Sequence, residues 1–271
     1  MFLADRRVRS DGDDCGALML DAGIERQLDG VRRALVFGCG GGYDVVCGLP
    51  LTLAFEARGI EVELANCSFT GLDQVRGGRR LSEGLLAVDA DSERSGYFPE
   101  GHLCRFARQV ERRERRVYCF NPAGLDPYRR DVAHLVGELQ PDLVLLVDGG
   151  VDSLVRGDEF SLGTPLLDAL TIGACEPLAS RKLLATTASA MLAALDGQHG
   201  EHTLNAYMEQ TPLWLSPLLL LYWIFDLDAV CTSKRSMLAA LEGTVTREQA
   251  AAAARIERAG RNVEPWQPIP L

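Results

Sequence analysis

Lysine is nearly missing: Lys182 and Lys234 are the only two in 271 residues, although arginine is plentiful. An amine nucleophile for Schiff-base chemistry is therefore not expected, and the arginine bias reflects a GC-rich genome rather than a site. No basic stripe runs along any segment, and the formal net charge is −10. Phosphate backbones and anionic membranes are bound by basic surface that releases counterions, so neither nucleic acid nor membrane is expected as a partner. The chain also lacks an apolar run of membrane length. The longest, Trp214 to Phe225, falls short of the roughly 20 residues a span requires and reads as a buried helix. Near the start, Asp5, Arg6, Arg7, Arg9, Asp11, Asp13 and Asp14 interrupt every short apolar piece, which excludes the core of a signal peptide. The eight cysteines (15, 39, 47, 67, 104, 119, 175 and 231) contain no Cys-x-x-Cys pair and several fall in apolar runs such as 117–120. They read as buried thiols in a reducing compartment, and a cytoplasmic location is expected.

Several catalytic templates are absent as well. There is no Gly-x-Ser-x-Gly elbow, no lysine after a phosphate-cradling glycine loop and no Cys/His pair with a recognisable local signature. The run Gly38-Cys39-Gly40-Gly41-Gly42-Tyr43-Asp44 resembles a dinucleotide fingerprint but has Tyr43 where the third glycine belongs. The residue that would hold a ribose, at the end of the second strand, is Asn66 rather than an acid. Asp44 would itself satisfy the loop amides that otherwise greet a phosphate. NAD and FAD are therefore not expected, no cofactor is required, and Mg²⁺ is the second choice.

What is present is an alternation of strand and helix patterns. Ala34 to Phe37, the glycine loop and a helical pattern over Asp44 to Arg58 form the opening unit of a doubly wound sheet. Strands are predicted at 60–65, 117–120, 143–147 and 183–187, and helices over 102–116, 126–139 and 165–175. Thr164, Pro165 and Asp168 mark the start of the last of these. The segment 68–101 is polar and glycine-rich, with Leu85 to Val88 its only apolar island, and reads as a lid over the site. From residue 201 onward the pattern is mainly helical, with helices predicted over 204–210, 215–225, 234–241 and 247–259. The expected architecture is one α/β domain over 1–271: a mostly parallel, Rossmann-like sheet of about five or six strands over 30–200, and a helical part over 201–271.

In open α/β sheets ligands lie outside the carboxyl ends of the strands, where the winding reverses. A strand order of 3-2-1-4-5 makes the Gly38 loop and the Asp148 loop neighbours. Asp148 follows a continuously apolar strand, and Asp152, Asp158 and Glu159 follow within a dozen residues. Neighbouring carboxylates push one another's proton affinities apart, which suits acid/base work. Asp148, Asp152, Asp44 and the loop histidine His199 are the candidate catalytic residues. Gly40, Gly41, Gly42, Asn66, Thr70, Asn121, Gly149 and Thr187 are the candidate substrate-binding residues. His199, Glu201 and His202 lack the spacing and third ligand of a zinc site, so no metal ligand is assigned.

Three blocks carry a resemblance: Gly40-Gly41-Gly42-Tyr43-Asp44, Tyr97-Phe98-Pro99-Glu100, and Val147-Asp148-Gly149-Gly150-Val151-Asp152-Ser153-Leu154 with the following Gly157-Asp158-Glu159 and Leu162-Gly163-Thr164-Pro165. Together they resemble a bacterial and archaeal family of unknown function. The resemblance implies a Rossmann-like fold and a site at these motifs, not a reaction. The expected function is non-redox enzymology on a small organic molecule, namely dehydration, conjugate addition or cyclisation by carboxylate and histidine acid/base chemistry, with natural-product biosynthesis as the expected setting. A nucleotide-handling or Mg²⁺-dependent transferase and a non-catalytic binding protein are the alternatives. Self-association is left open.

Overall fold

The computed structural model describes residues 26–150, 152–154, 165–187 and 222–242. A single eight-stranded sheet organises them. Its strands are β1 (Arg33–Gly38), β2 (Glu61–Cys67), β3 (Arg79–Arg80), β4 (Leu85–Val88), β5 (Val117–Phe120), β6 (Leu143–Asp148), β7 (Arg181–Thr187) and β8 (Tyr222–Asp226). They lie in the order β3-β4-β5-β2-β1-β6-β7-β8. The five central strands are parallel, and β3, β4 and β8 are antiparallel additions at the two edges. The expected 3-2-1-4-5 order therefore describes the parallel centre, and the three extra strands enlarge the expected sheet.

Alternate strand residues feed two cores. Leu35, Phe37, Val144 and Leu146 pack on one face with α4 (Leu125–Leu139), α5 (Pro165–Cys175), α6 (Leu227–Ser233) and α7 (Arg235–Leu241). Val36, Leu143, Leu145 and Val147 pack on the other with α1 (Asp44–Cys47), α2 (Leu49–Glu56) and α3 (Pro99–Phe106). The central strands are apolar throughout because both faces are covered by helices. The helices that follow β1 lie on one face and the helix that follows β6 lies on the other. The winding thus reverses between β1 and β6, and a crevice opens at their carboxyl ends.

The helical pattern after Asp44 is split. Pro50 has no N–H to give, and Gly48 sits where a Cβ would come within 2.8 Å of the Val36 side chain, so α1 ends and α2 restarts against β1. The stretch expected as a helix from 102 begins earlier, at Pro99, widens into a π-helical turn over Ala107–Glu111 and stops at Arg112 with φ 58°.

Two expectations are overturned. The segment 68–101 is not a lid, because Leu85–Val88 forms β4, buried at 0–3% exposure and paired antiparallel with β5. Phe98 and Glu100 are buried too. The run ending at Phe225 is not helical over its described part: Tyr222–Asp226 is strand β8, paired with β7. A short continuous apolar run suits a buried strand as well as a buried helix, and here the free edge of β7 decides it. The helices expected over 204–210 and 247–259 lie outside the described residues. No described helix is long and apolar enough to cross a membrane.

Candidate active site

Three carboxylates from three elements meet at the reversal point. Asp44 opens α1, Asp148 ends β6 and Asp168 stands on α5, and one oxygen from each lies within 4.8 Å of the others. Asp148 and Asp168 are each 3% exposed.

Backbone amides hold the first two. Asp44 Oδ2 accepts from the Gly40 amide at 2.7 Å and its Oδ1 from the Gly149 amide at 3.1 Å, so one side chain ties together loops 105 residues apart. Asp148 Oδ1 accepts from the Gly150 amide at 2.6 Å. Its Oδ2 accepts from the Ser153 amide at 2.9 Å and the Ser153 hydroxyl at 2.5 Å. Asp168 lies against Gly40, where a Cβ would come within 2.5 Å of its carboxylate. Thr171, one turn further along α5, reaches the Cys39 carbonyl at 2.6 Å and anchors the helix to the β1 loop.

Gly41 and Gly42 hold φ of 101° and 65°, which L side chains rarely adopt, and this lets the loop fold back over the ends of the strands. Two thiols border the carboxylates. Burial, and then the charges of Asp168, Asp148 and Asp44, push Cys39 well above the ordinary thiol range. Burial with Asp44 and Asp148 pushes Cys47 up to about 12. Neither is poised as a nucleophile.

A second polar group supports the glycine loop from the β2 side. The Asn66 amide donates to the Gly42 carbonyl at 3.2 Å and to Glu100 Oε1 at 2.7 Å. The Thr70 hydroxyl donates to Glu100 Oε2 at 3.2 Å, and Glu100 is fully buried. Above this loop Tyr43, Phe69 and Tyr97 remain exposed, with Tyr43 and Tyr97 edge-to-face at 5.8 Å.

The predicted residues separate clearly. Asp44, Asp148, Gly40, Gly41, Gly42 and Gly149 share the crevice mouth. Thr187 joins them by donating to the Gly149 carbonyl at 3.1 Å. Asn66 and Thr70 stand behind the glycine loop. Asn121 is exposed at the end of β5, two strands from β1, and its backbone N–H donates to the Gly84 carbonyl beside β4. It is not brought to the carboxylates. Asp152 opens the 3-10 turn Asp152–Leu154 directly after the site loop, while His199, Asp158 and Glu159 lie outside the described residues. In the sequence Asp168 stands out only as a first-turn helix acid. The signal that could have found it was its place on the helix that follows β6, the strand beside β1.

Fold and site together define a doubly wound α/β protein with an acidic centre at its topological switch point. Residues 35–189, more than half of the chain, match DUF1152, a protein family of unknown function. The chain belongs to that family. No curated protein and no solved structure matches it.

Proposed function

We propose that this chain is an enzyme that carries out non-redox proton chemistry on a small organic molecule, such as dehydration, conjugate addition or cyclisation, in the crevice between β1 and β6. The observation that carries the reading is the convergence of Asp44, Asp148 and Asp168 within 4.8 Å at the switch point. Three like charges so close require a proton or a cation among them, and either one places an electrophile beside a base. Gly40 to Gly42, Gly149 and Thr187 form the walls, and Asn66 and Thr70 hold the loop in place from behind.

A nucleotide-handling version has less support, because the Gly40 amide that would face a phosphate is donated to Asp44. The test begins with mass spectrometry of any ligand retained on the purified protein. Turnover of that compound or its product should fall about 10²- to 10⁴-fold in Asp148→Asn, the usual loss when a general acid or base is removed. Full activity in that variant would refute the reading.

A further inference from the structure

We propose that Asp44, Asp148 and Asp168 bind one divalent cation of the hard, oxygen-seeking class, Mg²⁺ or Mn²⁺, between the ends of β1 and β6. This deepens the carboxylate reading above and rests on it. The carboxylates alone would be a weak argument, since acidic clusters are common. One further buried oxygen flanks them on the neighbouring strand β7, that of Thr186, which is 0% exposed.

Thr186 Oγ1 has no hydrogen-bond partner among the described residues. Buried polar atoms are nearly always paired, and an unpaired one marks strain or an absent ion or water. Thr186 is the register partner of Asp148 in the parallel β6–β7 pair, so both side chains leave the same face of the sheet. Asp168 comes to that face on α5, which packs there with Leu146. Thr186, Asp148 and Asp168 thus share one face at the ends of β6 and β7, and Asp44 of α1 brings its carboxylate to the same point.

Oxygen-only donors of this kind suit Mg²⁺ or Mn²⁺, which take one or a few carboxylates and complete their shell with water or substrate. The backbone amides on Asp44 and Asp148 are the outer partners that orient ligating carboxylates. Bound there, the ion offsets the clustered charge and offers a Lewis acid to a substrate oxygen.

The experiment is titration of metal-stripped, full-length protein with Mn²⁺, with the free-ion electron paramagnetic resonance signal as readout and Mg²⁺ as competitor. One equivalent should bind and be displaced by Mg²⁺. Thr186→Val should weaken binding about 10-fold, as loss of a supporting partner does, and Asp168→Asn by more than that. The surface variant Asp73→Asn should bind as the parent does. If Asp168→Asn does not fold, Asp168→Glu keeps the charge, displaces it by one methylene and should weaken binding in the same sense. No binding up to about 10 mM, well beyond ordinary protein sites, overturns the proposal. So does binding that is unchanged in both Thr186→Val and the Asp168 variant. Absent Mn²⁺ binding together with turnover that still depends on Asp148 rejects the cation and leaves the carboxylate reading standing. Full turnover in Asp148→Asn rejects that reading whatever the ion does.

Discussion

Gly40→Ala isolates the contact that seats Asp168. Gly40 does not occupy the positive-φ region, so alanine carries no backbone penalty there. Its Cβ would, however, lie 2.5 and 2.6 Å from the two carboxylate oxygens of Asp168 and 2.8 Å from the carboxyl carbon. An ordinary contact is about 3.5 Å, so the carboxylate must retreat by roughly 1 Å. Asp168 is 3% exposed and anchored on a helix that Thr171 ties to the same loop, which leaves it little room. Overpacking of this kind costs about 1 to 3 kcal/mol. In an Asp168→Ala background the obstacle is gone, and the same alanine should be nearly neutral. Urea unfolding of the four proteins completes a double-mutant cycle, with an expected coupling of about 1 to 3 kcal/mol. The midpoint should move while the slope stays constant. Equal losses from Gly40→Ala in both backgrounds would show that Asp168 does not press on the loop, and the geometry of the acidic centre would be wrong.

Other consequences reach beyond the crevice. Arg115, 6% exposed, donates to both oxygens of Glu56 at 2.8 and 2.9 Å and to Glu111 at 2.7 Å. Arg115→Met takes the shared cation from Glu56 and Glu111 and should cost about 3 to 5 kcal/mol in a urea titration, whereas Glu56→Ala leaves the arginine paired with Glu111 and should cost less. Burial pushes Cys104 and Cys231 up to about 12 and holds Cys119 and Cys175 well above the ordinary thiol range. With a thiolate fraction of about 10⁻⁴ at pH 8, none of these four should label quickly with a disulfide reagent until urea unfolds the chain. Peptide mapping that finds any of them rapidly modified in the native protein would contradict this. Glu63, half-buried beside Glu61, is raised by desolvation and then by that neighbour. A raised carboxyl contributes stability below its unfolded pKa that is lost as pH rises through the folded value. Glu63→Gln should therefore raise the urea midpoint at pH 7, with the gain shrinking toward pH 4.5.

The parallel centre was legible because each of its strands carries its own signal: β1, β5 and β6 hold continuous apolar runs bounded by Gly38, Asn121 and Asp148, β2 alternates before ending near Asn66, and β7 holds the apolar Leu183 to Ala185 before two threonines. β4 was not, because Leu85–Val88 sits alone in a polar stretch and becomes a strand only through antiparallel pairing with β5, a contact between distant parts of the chain. Tyr222–Asp226 carries no strand signal for a related reason, since an apolar run has no period to separate strand from helix. Asp44 and Asp148 announced themselves beside glycines at predicted strand ends. Asp168 did not, since a helix-start acid is ordinary in isolation and acquires meaning only when α5 is laid across β6. Glu100 was equally silent: nothing local shows that a glutamate in a polar segment will be buried against Asn66 and Thr70.

The strand that closes one side of the sheet, β3, consists of only Arg79 and Arg80, both exposed. A bare strand edge is a template on which another chain can extend a sheet, and two residues with two guanidinium groups offer almost no length and a strong repulsion between like copies. An assembly of this chain by edge-to-edge joining at β3 is therefore disfavoured from the outset. If copies of this protein do associate, the surfaces that meet should be helical faces or the opposite end of the sheet, and the central parallel strands remain guarded against runaway stacking even when the chain is crowded.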